Sequence, residues 1–380
     1  MLSSGHSPRD DRIFYKETLT LAKRFDQIYL VMPADKLDYK VTNSNIIFVA
    51  LRKSKTVLSR FFVIPQAIIT ILKIRPQICH FHDYELIFAL PFIRLFSRCK
   101  IIYDVHESYP EMAMESKKFN HRLRSLLGKL VDISEMILSR LADHIITSDD
   151  NIADRFKDNH SHVTTIFNYP RLSIFIPDKK KLSHLTKRYK NKTPIIYQGG
   201  ISLDRGLFKM FEAMKILKQK RPDIILLMVG KMSDELLNQS REYIRNFGLQ
   251  NNIDIVGWVP HEDIVNYIHV SKIGLVPLLP TKKFLKNIPI KQFEYMACGI
   301  PVLGADLPPI ASYINSSGCG RVFDSTNPHA LVAGIDTILG SELEWRRMSE
   351  KGKRAVQYEW NWDIMEKKLF AVYEDLLGVQ

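Results

Sequence analysis

The sequence predicts an α/β protein built from two Rossmann-like domains, each a parallel sheet covered by helices on both faces. Three observations lead to that fold class. Short runs rich in Ile, Val, Leu and Tyr alternate with helical patterns along most of the chain, as β/α/β units require. The alternation breaks at a dense charged run, KKKLSHLTKRYKNK at 179–192, and then restarts. The 380 residues, 46% hydrophobic and 10% aromatic, are enough for two buried cores. The expected division is a first domain over 1–172, a linker at 173–192, a second domain over 193–360 and a last helix at 361–380.

The chain opens with Met1 and Leu2, a polar loop from Ser3 to Ser7, and a helix over about 11–25 with Ile13, Phe14, Leu19, Leu21 and Phe25 on its covering face. A loop after the first strand of an α/β sheet faces the ligand crevice, which makes Gly5 and His6 candidates. Strands follow at 27–32, 45–51, 77–81, 100–104, 144–147 and 163–168, with helices around 57–73, 84–97 and 122–141. His82 and Asp83 stand at the end of one of these strands, and His106 and Glu107 just past another, where such domains place ligands. These four residues could also be read as a metal cluster, but their spacing matches no ligand pattern.

The second half restarts with a strand at 194–198, a glycine-rich loop GGISLDRG at 199–206 and an amphipathic helix at 207–217 with Leu207, Met210, Phe211, Met214 and Leu217 inward. Strand, glycine loop and helix together cradle phosphates in α/β proteins, although this loop is neither a Walker motif nor a G-x-G-x-x-G fingerprint. Further strands are expected at 224–229, 253–256 and 273–276 and around Val322. Helices are expected at 331–339 and 341–358, and a last one runs to 376.

The stretch PIKQFEYMACGIPVLG, 289–304, reads as a short helix running into a buried strand. Asn287 and Pro289 suit a helix start, and Gly299 and Pro301 suit its stop. Ile290, Phe293, Met296 and Ala297 share one face; Lys291 and Glu294 share the other. On spacing alone that pair is an exposed helix ion pair worth a few tenths of a kcal/mol. The alternative is functional: a helix start attracts anions, and a carboxylate one turn further in accepts hydrogen bonds from two ribose hydroxyls.

These segments resemble the retaining GT-B glycosyltransferases of family four. The run K-x-F-E-Y-M-A-x-G-x-P-V is similar to that family's nucleotide-sugar motif, and the likeness places Glu294 on the donor ribose. The wider family has a second Glu eight residues earlier, where this chain has Lys286, so the backbone at Asn287, Ile288, Pro289 and Ile290 would meet the donor sugar instead. The loop at 199–206 resembles the family's phosphate loop, with Arg205 at its second cation and Gly200 where the first would stand; Lys291 would supply the missing charge. D-x-H-E-x-Y-P resembles the motif whose His sits over the donor sugar, which points to His106. The start, His6, Pro8, Arg12, Ile13 and Phe14, matches as well, but only Met1 and Leu2 stand where a full first strand is expected: a stub, or a clipped start.

The resemblance implies two Rossmann-like domains facing across a cleft, with the C-terminal helix crossing back to the first. It implies catalytic roles for His106, Arg205, Lys291 and Glu294. Donor contacts fall to Gly5, Gly199, Gly200, Arg205, Trp258, Asn287 to Ile290, Lys291 and Glu294, with Trp258 against the base. Acceptor contacts fall to His6, His82, Asp83 and Glu107. Neither cofactor nor metal is expected, the donor being a co-substrate.

The net charge of +13 is uneven: residues 1–190 hold 31 Lys/Arg and 20 Asp/Glu, while 191–380 hold 23 and 21. A basic first half suits an acidic partner. Arg52, Lys53, Lys55 and Arg60 precede the apolar stretch 61–72, and Arg94, Arg98 and Lys100 flank another, a pattern that suits the surface of an anionic membrane. The stretch 61–72 is too short to span a bilayer, the N-terminus does not read as a signal peptide, and the four cysteines show no paired or metal spacing. The expected partners are a nucleotide-sugar donor, a glycan or lipid-linked acceptor and peripheral contact with anionic membrane, with no nucleic acid. The expected place is the cytoplasm, at the inner face of the membrane. The expected product is a cell-surface polysaccharide or lipid-linked glycan. Rival readings are a GT-B nucleotide-sugar epimerase, a non-catalytic GT-B scaffold and a basic nucleic-acid-binding protein.

Overall fold

The computed structural model describes residues 1–34, 44–54, 56–115 and 120–378. Lys55, part of the basic cluster noted above, lies outside them. The chain forms two compact units: Met1–Asn168 with Asp363–Gln380, and Tyr169–Trp362.

The first unit carries strands β1 (Ile28–Pro33), β2 (Ile46–Leu51), β3 (Ile78–Phe81), β4 (Lys100–Val105), β5 (His144–Thr147) and β6 (Val163–Thr165). β1 pairs with β2, and β3 to β6 pair in sequence, all in parallel. Leu2 bridges Val31 on one side and Phe81 on the other, joining the two ladders. Its amide donates to His80 O, and it accepts from His82 N. The stub therefore holds the central position, and the loops after Leu2 and after β3 leave from the sheet's switch point.

After the polar loop, Asp10 caps a π-helical run Asp11–Thr18, followed by α1 (Leu19–Leu21). The sequence pattern gave an ordinary amphipathic helix here. The wider π turn instead brings Arg12, Lys16 and Glu17 inward, all buried. Helices α2 (Val57–Arg60), α3 (Ile64–Ile74), α4 (Leu90–Phe96), α5 (Tyr109–Glu115), α6 (His121–Leu138) and α7 (Asp150–Lys157) complete the layers. Asn120 caps α6 and Asp149 caps α7.

In the second unit, α8 (Lys179–Arg188) lies within the segment read as a linker. Asp178 caps it, Leu185 and Tyr189 are buried, and Lys181 pairs with Asp263. Two apolar anchors and a cap suffice for a surface helix, and a charge-rich composition conceals them. The remaining elements are β7 (Thr193–Gln198), α9 (Leu207–Lys220), β8 (Ile224–Val229), α10 (Asp234–Asn246), β9 (Ile253–Gly257), α11 (His261–Val270), β10 (Ile273–Val276), α12 (Lys291–Ala297), β11 (Val302–Ala305), α13 (Pro308–Ser317), β12 (Gly320–Phe323), α14 (Pro328–Leu339) and α15 (Glu342–Tyr358). The sheet is parallel with order β12-β11-β10-β7-β8-β9. Counted from β7, this is the doubly wound order 3-2-1-4-5-6, with its switch point between β7 and β10.

The last helix, α16 (Trp362–Leu377), belongs to the first unit from Asp363 onward. Glu366 accepts from Thr20 and Lys23, and the Tyr373 hydroxyl meets His80 Nδ1 at 2.8 Å. Among the described residues no helix is long and apolar enough to cross a membrane.

Candidate functional site

In an open sheet of this order ligands bind where the connections diverge at the switch point, and in the second sheet β7 and β10 end there. β7 ends at buried Gln198, and Gly199 turns the chain with φ 108°. A Cβ on Gly199 would come 3.3 Å from Lys291 Nζ. The loop continues through a 3-10 turn, Leu203–Arg205, to Gly206, whose φ of 76° opens α9. A Cβ there would stand 2.2 Å from Pro277 O, so the start of α9 is packed hard against the loop after β10.

Here five of the predicted residues gather: Gly199, Gly200, Arg205, Lys291 and Glu294. Lys291 Nζ lies 3.8 Å from the centre of the Tyr197 ring. The Tyr197 hydroxyl donates to Gly200 O at 2.7 Å. Arg205 is half-buried, with its guanidinium carbon 3.8 Å from where a Gly200 Cβ would be. Glu294, half-buried, accepts from the side-chain amide of Gln198. The Tyr295 hydroxyl accepts from Gln198 N at 3.1 Å, fixing the end of β7 to α12.

Lys291 departs most from the simple reading. It is only 7% exposed, and its ammonium has no hydrogen-bond partner among the described residues. The exposed ion pair with Glu294 is therefore not what forms. Burial, then the nearby Arg205 charge, hold the amine well below the usual lysine range, outweighing Glu294. An orphaned buried amine beside a guanidinium has the chemistry to receive anionic oxygens, while the Gly199 amide is already donated to Val229 O at 2.9 Å.

The helix start differs too. α12 begins at Lys291, and its N-cap, Ile290, makes no side-chain cap. Asn287 does not cap; its amide donates to Lys283 O at 3.0 Å. Asn287, Ile288, Pro289 and Ile290 form a half-buried approach loop. With only seven residues of helix behind it, the anion-binding charge rests on Lys291 and Arg205 rather than on the helix dipole. Trp258 follows Gly257 at the end of β9 and is 63% exposed, with Lys231 Nζ 5.6 Å from its ring. It is not a core aromatic.

In the first unit, His106 is part of a cluster centred on buried Asp104. His106 Nε2 lies 3.3 Å from Asp104 Oδ2 and 3.2 Å from His82 Nδ1. The Arg12 guanidinium donates to both Asp104 oxygens, at 3.0 and 3.1 Å, and meets Glu17 at 2.9 Å. Burial would raise the Asp104 carboxyl, but Arg12 and the imidazoles hold it well below the usual range. Burial and the Asp104 charge push Glu17 well up, and burial lowers His80 to about 4 and holds His82 well below the usual histidine range.

Two predicted acceptor residues are not available. His82 is fully buried inside this cluster. Asp83 is buried as well, its carboxylate accepting from Ser3 Oγ, Ser4 N and Gly5 N at 2.6, 2.7 and 3.2 Å. Asp83 holds the switch-point loop in place and His82 packs inside the Asp104 cluster, which explains their positions without an acceptor role. His6 is half-buried, between Asp10 at 3.0 Å and Asp83 at 3.6 Å. Burial would lower it, but the Asp10 hydrogen bond and both carboxylates raise it. Gly5 is exposed, and a Cβ on it would come 2.3 Å from Arg60 Nη1. Glu107 is half-buried.

Glu17, His80, His82 and Asp104 offer ligand atoms within 4.8 Å of one another, a set different from the one the sequence suggested, and Arg12 already places a cationic group against it. Sequence reasoning missed Arg12, Glu17, His80 and Asp104 as a group. The signal was the H-x-H of β3: residues two apart share a strand face, and His80 and His82 stack at 4.4 Å.

The fold defines a two-unit α/β protein with parallel, doubly wound sheets. The family follows from comparison. One family model, Glycosyltransferase Family 4, matches residues 15–169, and another, Glycosyl transferases group 1, matches 178–355; the chain belongs to this glycosyltransferase family. A GDP-mannose-dependent monoacylated alpha-(1-6)-phosphatidylinositol monomannoside mannosyltransferase of Corynebacterium glutamicum is 22% identical over 211 residues, 55% of this chain and 54% of that one. The amylovoran biosynthesis glycosyltransferase AmsK of Erwinia amylovora is 26% identical over 173 residues, 45% and 42% of the two chains. The chain thus spans about half the length of the curated relatives it matches. Anabaena HepE, solved in complex with UDP, superposes with a TM-score of 0.75 over 98% of both chains at 13% identity, and the fold is GT-B.

Proposed function

We propose that the protein is a retaining glycosyltransferase that moves a sugar from a nucleotide-diphosphate donor to a glycan or lipid-linked acceptor, in the making of a cell-surface polysaccharide or glycolipid at the inner face of a membrane. The observation that carries this reading is the unpartnered, buried Lys291 amine beside Arg205 and the Gly199–Gly200 turn, with Glu294 one turn along. Binding of UDP by HepE and the GDP-mannose dependence of the corynebacterial relative support the donor class.

In this reading Lys291 and Arg205 meet the charge that grows on the leaving diphosphate, work that a metal does in other transferases. Glu294 accepts from the ribose hydroxyls, and Trp258 stacks on the base. The loop 287–290 faces the donor sugar in place of the carboxylate that Lys286 displaces. His106, its ring held by Asp104, donates to a sugar hydroxyl. A covalent route needs two carboxylates about 5 Å apart. With a return on the same face, the leaving phosphate takes the acceptor's proton instead, and the anomeric configuration is kept.

The test is a thermal-shift screen of UDP- and GDP-sugars, repeated with Glu294→Ala and Arg205→Ala. The best donor should raise Tm, and both variants should lose the rise. A rise unchanged in either variant removes that residue from the site. Incubation without acceptor separates the epimerase reading, which predicts an altered sugar and no transfer. His106→Ala should keep the donor shift and lose transfer.

A further inference from the structure

α6 is amphipathic twice over. One face packs on the unit, through Gly128 against α5 and Glu135 at the core. The other face carries Leu123, Leu126, Leu130, Ile133 and Ile137, each between 40% and 57% exposed. Their spacing of three and four residues makes one continuous stripe, about 21 Å long at 1.5 Å per residue. A surface helix ordinarily turns its single apolar stripe inward and shows polar residues outside. Next to it, α4 exposes Phe92, Leu95 and Phe96, up to 74%. Arg94 Nε donates to Leu141 O just beyond the end of α6, tying the two helices into one layer. On α3 and the turn before it, Ile69 and Phe62 are exposed as well. So many large side chains on one layer exceed the scattered apolar exposure normal for a protein surface.

The exposed charge around this layer is mostly basic. Residues 51–100 hold nine Lys/Arg and two Asp/Glu, and both acids, Asp83 and Glu85, are buried. Arg98, Arg122 and Lys129 are exposed at the edges of the apolar residues, and among the described residues none has an acidic partner. On α6 the exposed Asp132 is neutralised by Arg155 at 2.8 Å. A second copy laid on this face would bring basic edge against basic edge. A bilayer with anionic headgroups meets both demands at once, taking the leucines between its acyl chains and the arginines at its phosphates.

We infer that the outer face of α3, α4 and α6 is a docking surface for an anionic lipid bilayer, with the α6 stripe as its centre. Of the two stretches the sequence suggested, the one flanked by Arg94, Arg98 and Lys100 lies on this surface as α4, whereas in 61–72 Val63, Ala67 and Ile71 are buried and, among the large apolar side chains, Phe62 and Ile69 are exposed; the α6 stripe is the new part. The inference deepens the lipid-linked reading above, but vesicle binding is read without donor or acceptor, so either can fail alone.

The experiment is co-sedimentation of the full chain with phosphatidylcholine vesicles, with and without phosphatidylglycerol. Binding should strengthen with the anionic lipid, by roughly fivefold for each basic side chain at the surface, and should weaken with salt. The double variant Leu130→Asp, Ile133→Asp alters half-exposed side chains only. It should keep Tm and the nucleotide-induced shift, and should lose roughly tenfold or more of the vesicle binding. Lys129→Glu with Arg122→Glu should remove the preference for anionic lipid. Vesicle binding unchanged in the first double variant overturns the assignment. So does a dimer in solution that the same variant splits, since the face would then belong to a second copy.

Discussion

Lys291→Met separates function from stability. The side chain keeps its length and loses a buried ammonium that has no hydrogen-bond partner. An unpaired buried polar group costs about 1–3 kcal/mol, so the ligand-free variant should be as stable as the parent or more so. For a unit of this size each kcal/mol moves Tm by roughly 2–4 °C. Nucleotide binding should move the other way. A hydrogen bond to a charged group contributes about 1.5–3 kcal/mol, so the Kd for the nucleoside diphosphate should rise roughly ten- to hundredfold. Calorimetric titration with UDP and GDP measures the second effect, and a thermal scan the first. The pH dependence follows with a definite sign. The free amine is held well below the usual lysine range and a bound diphosphate raises it, so binding takes up a proton between those two values. Across that window parental affinity falls as pH rises, by about tenfold per pH unit, and the variant loses the slope. A Tm that drops by several degrees with affinity intact would refute the reasoning, because Lys291 would then be structural.

Gly206→Ala should destabilise the second unit by more than Gly257→Ala. Both have left-handed φ, 76° and 79°, costing about 1–2 kcal/mol each, but only Gly206 adds a 2.2 Å clash with Pro277 O, so denaturant midpoints should differ between the variants. Asp104→Asn should cost up to about 3–5 kcal/mol, because it leaves the buried Arg12 guanidinium with Glu17 as its one remaining carboxyl partner; urea unfolding measures it. Stability should fall as pH drops from about 6.5 toward 4. His80 and His144 are lowered to about 4 and His82 is held well below the usual range, so the unfolded chain takes up protons the folded one refuses. Each contributes up to about 1.4 kcal/mol per pH unit in that window, and His144→Gln should reduce the slope.

The strands were legible because parallel strands buried on both faces are continuous apolar runs, and β5, β8 and β10 fall where the Ile- and Leu-rich segments place them. The glycine loop and the Lys291–Glu294 stretch were legible as a candidate phosphate site through family likeness rather than through spacing, which favoured an exposed pair. Burial of Lys291 depends on Tyr197, Gly199 and Arg205, nearly a hundred residues upstream in sequence and brought close only by the sheet order. The π turn at Asp11–Thr18 was hidden for a similar reason: its distant partner Asp104 is what accounts for an inward Arg12. α8 looked like a linker because a helix with two apolar anchors is mostly charge. α5 and α7 are short, and strand-end polar turns mask their starts.

The most direct test of the central claim is a crystal structure of the full chain with a bound nucleoside diphosphate, UDP or GDP. The account predicts diphosphate oxygens within hydrogen-bond distance of Lys291 Nζ and the Arg205 guanidinium, with both ribose hydroxyls on the Glu294 carboxylate. A nucleotide bound elsewhere, or one that leaves Lys291 unpartnered and Glu294 untouched, would contradict it.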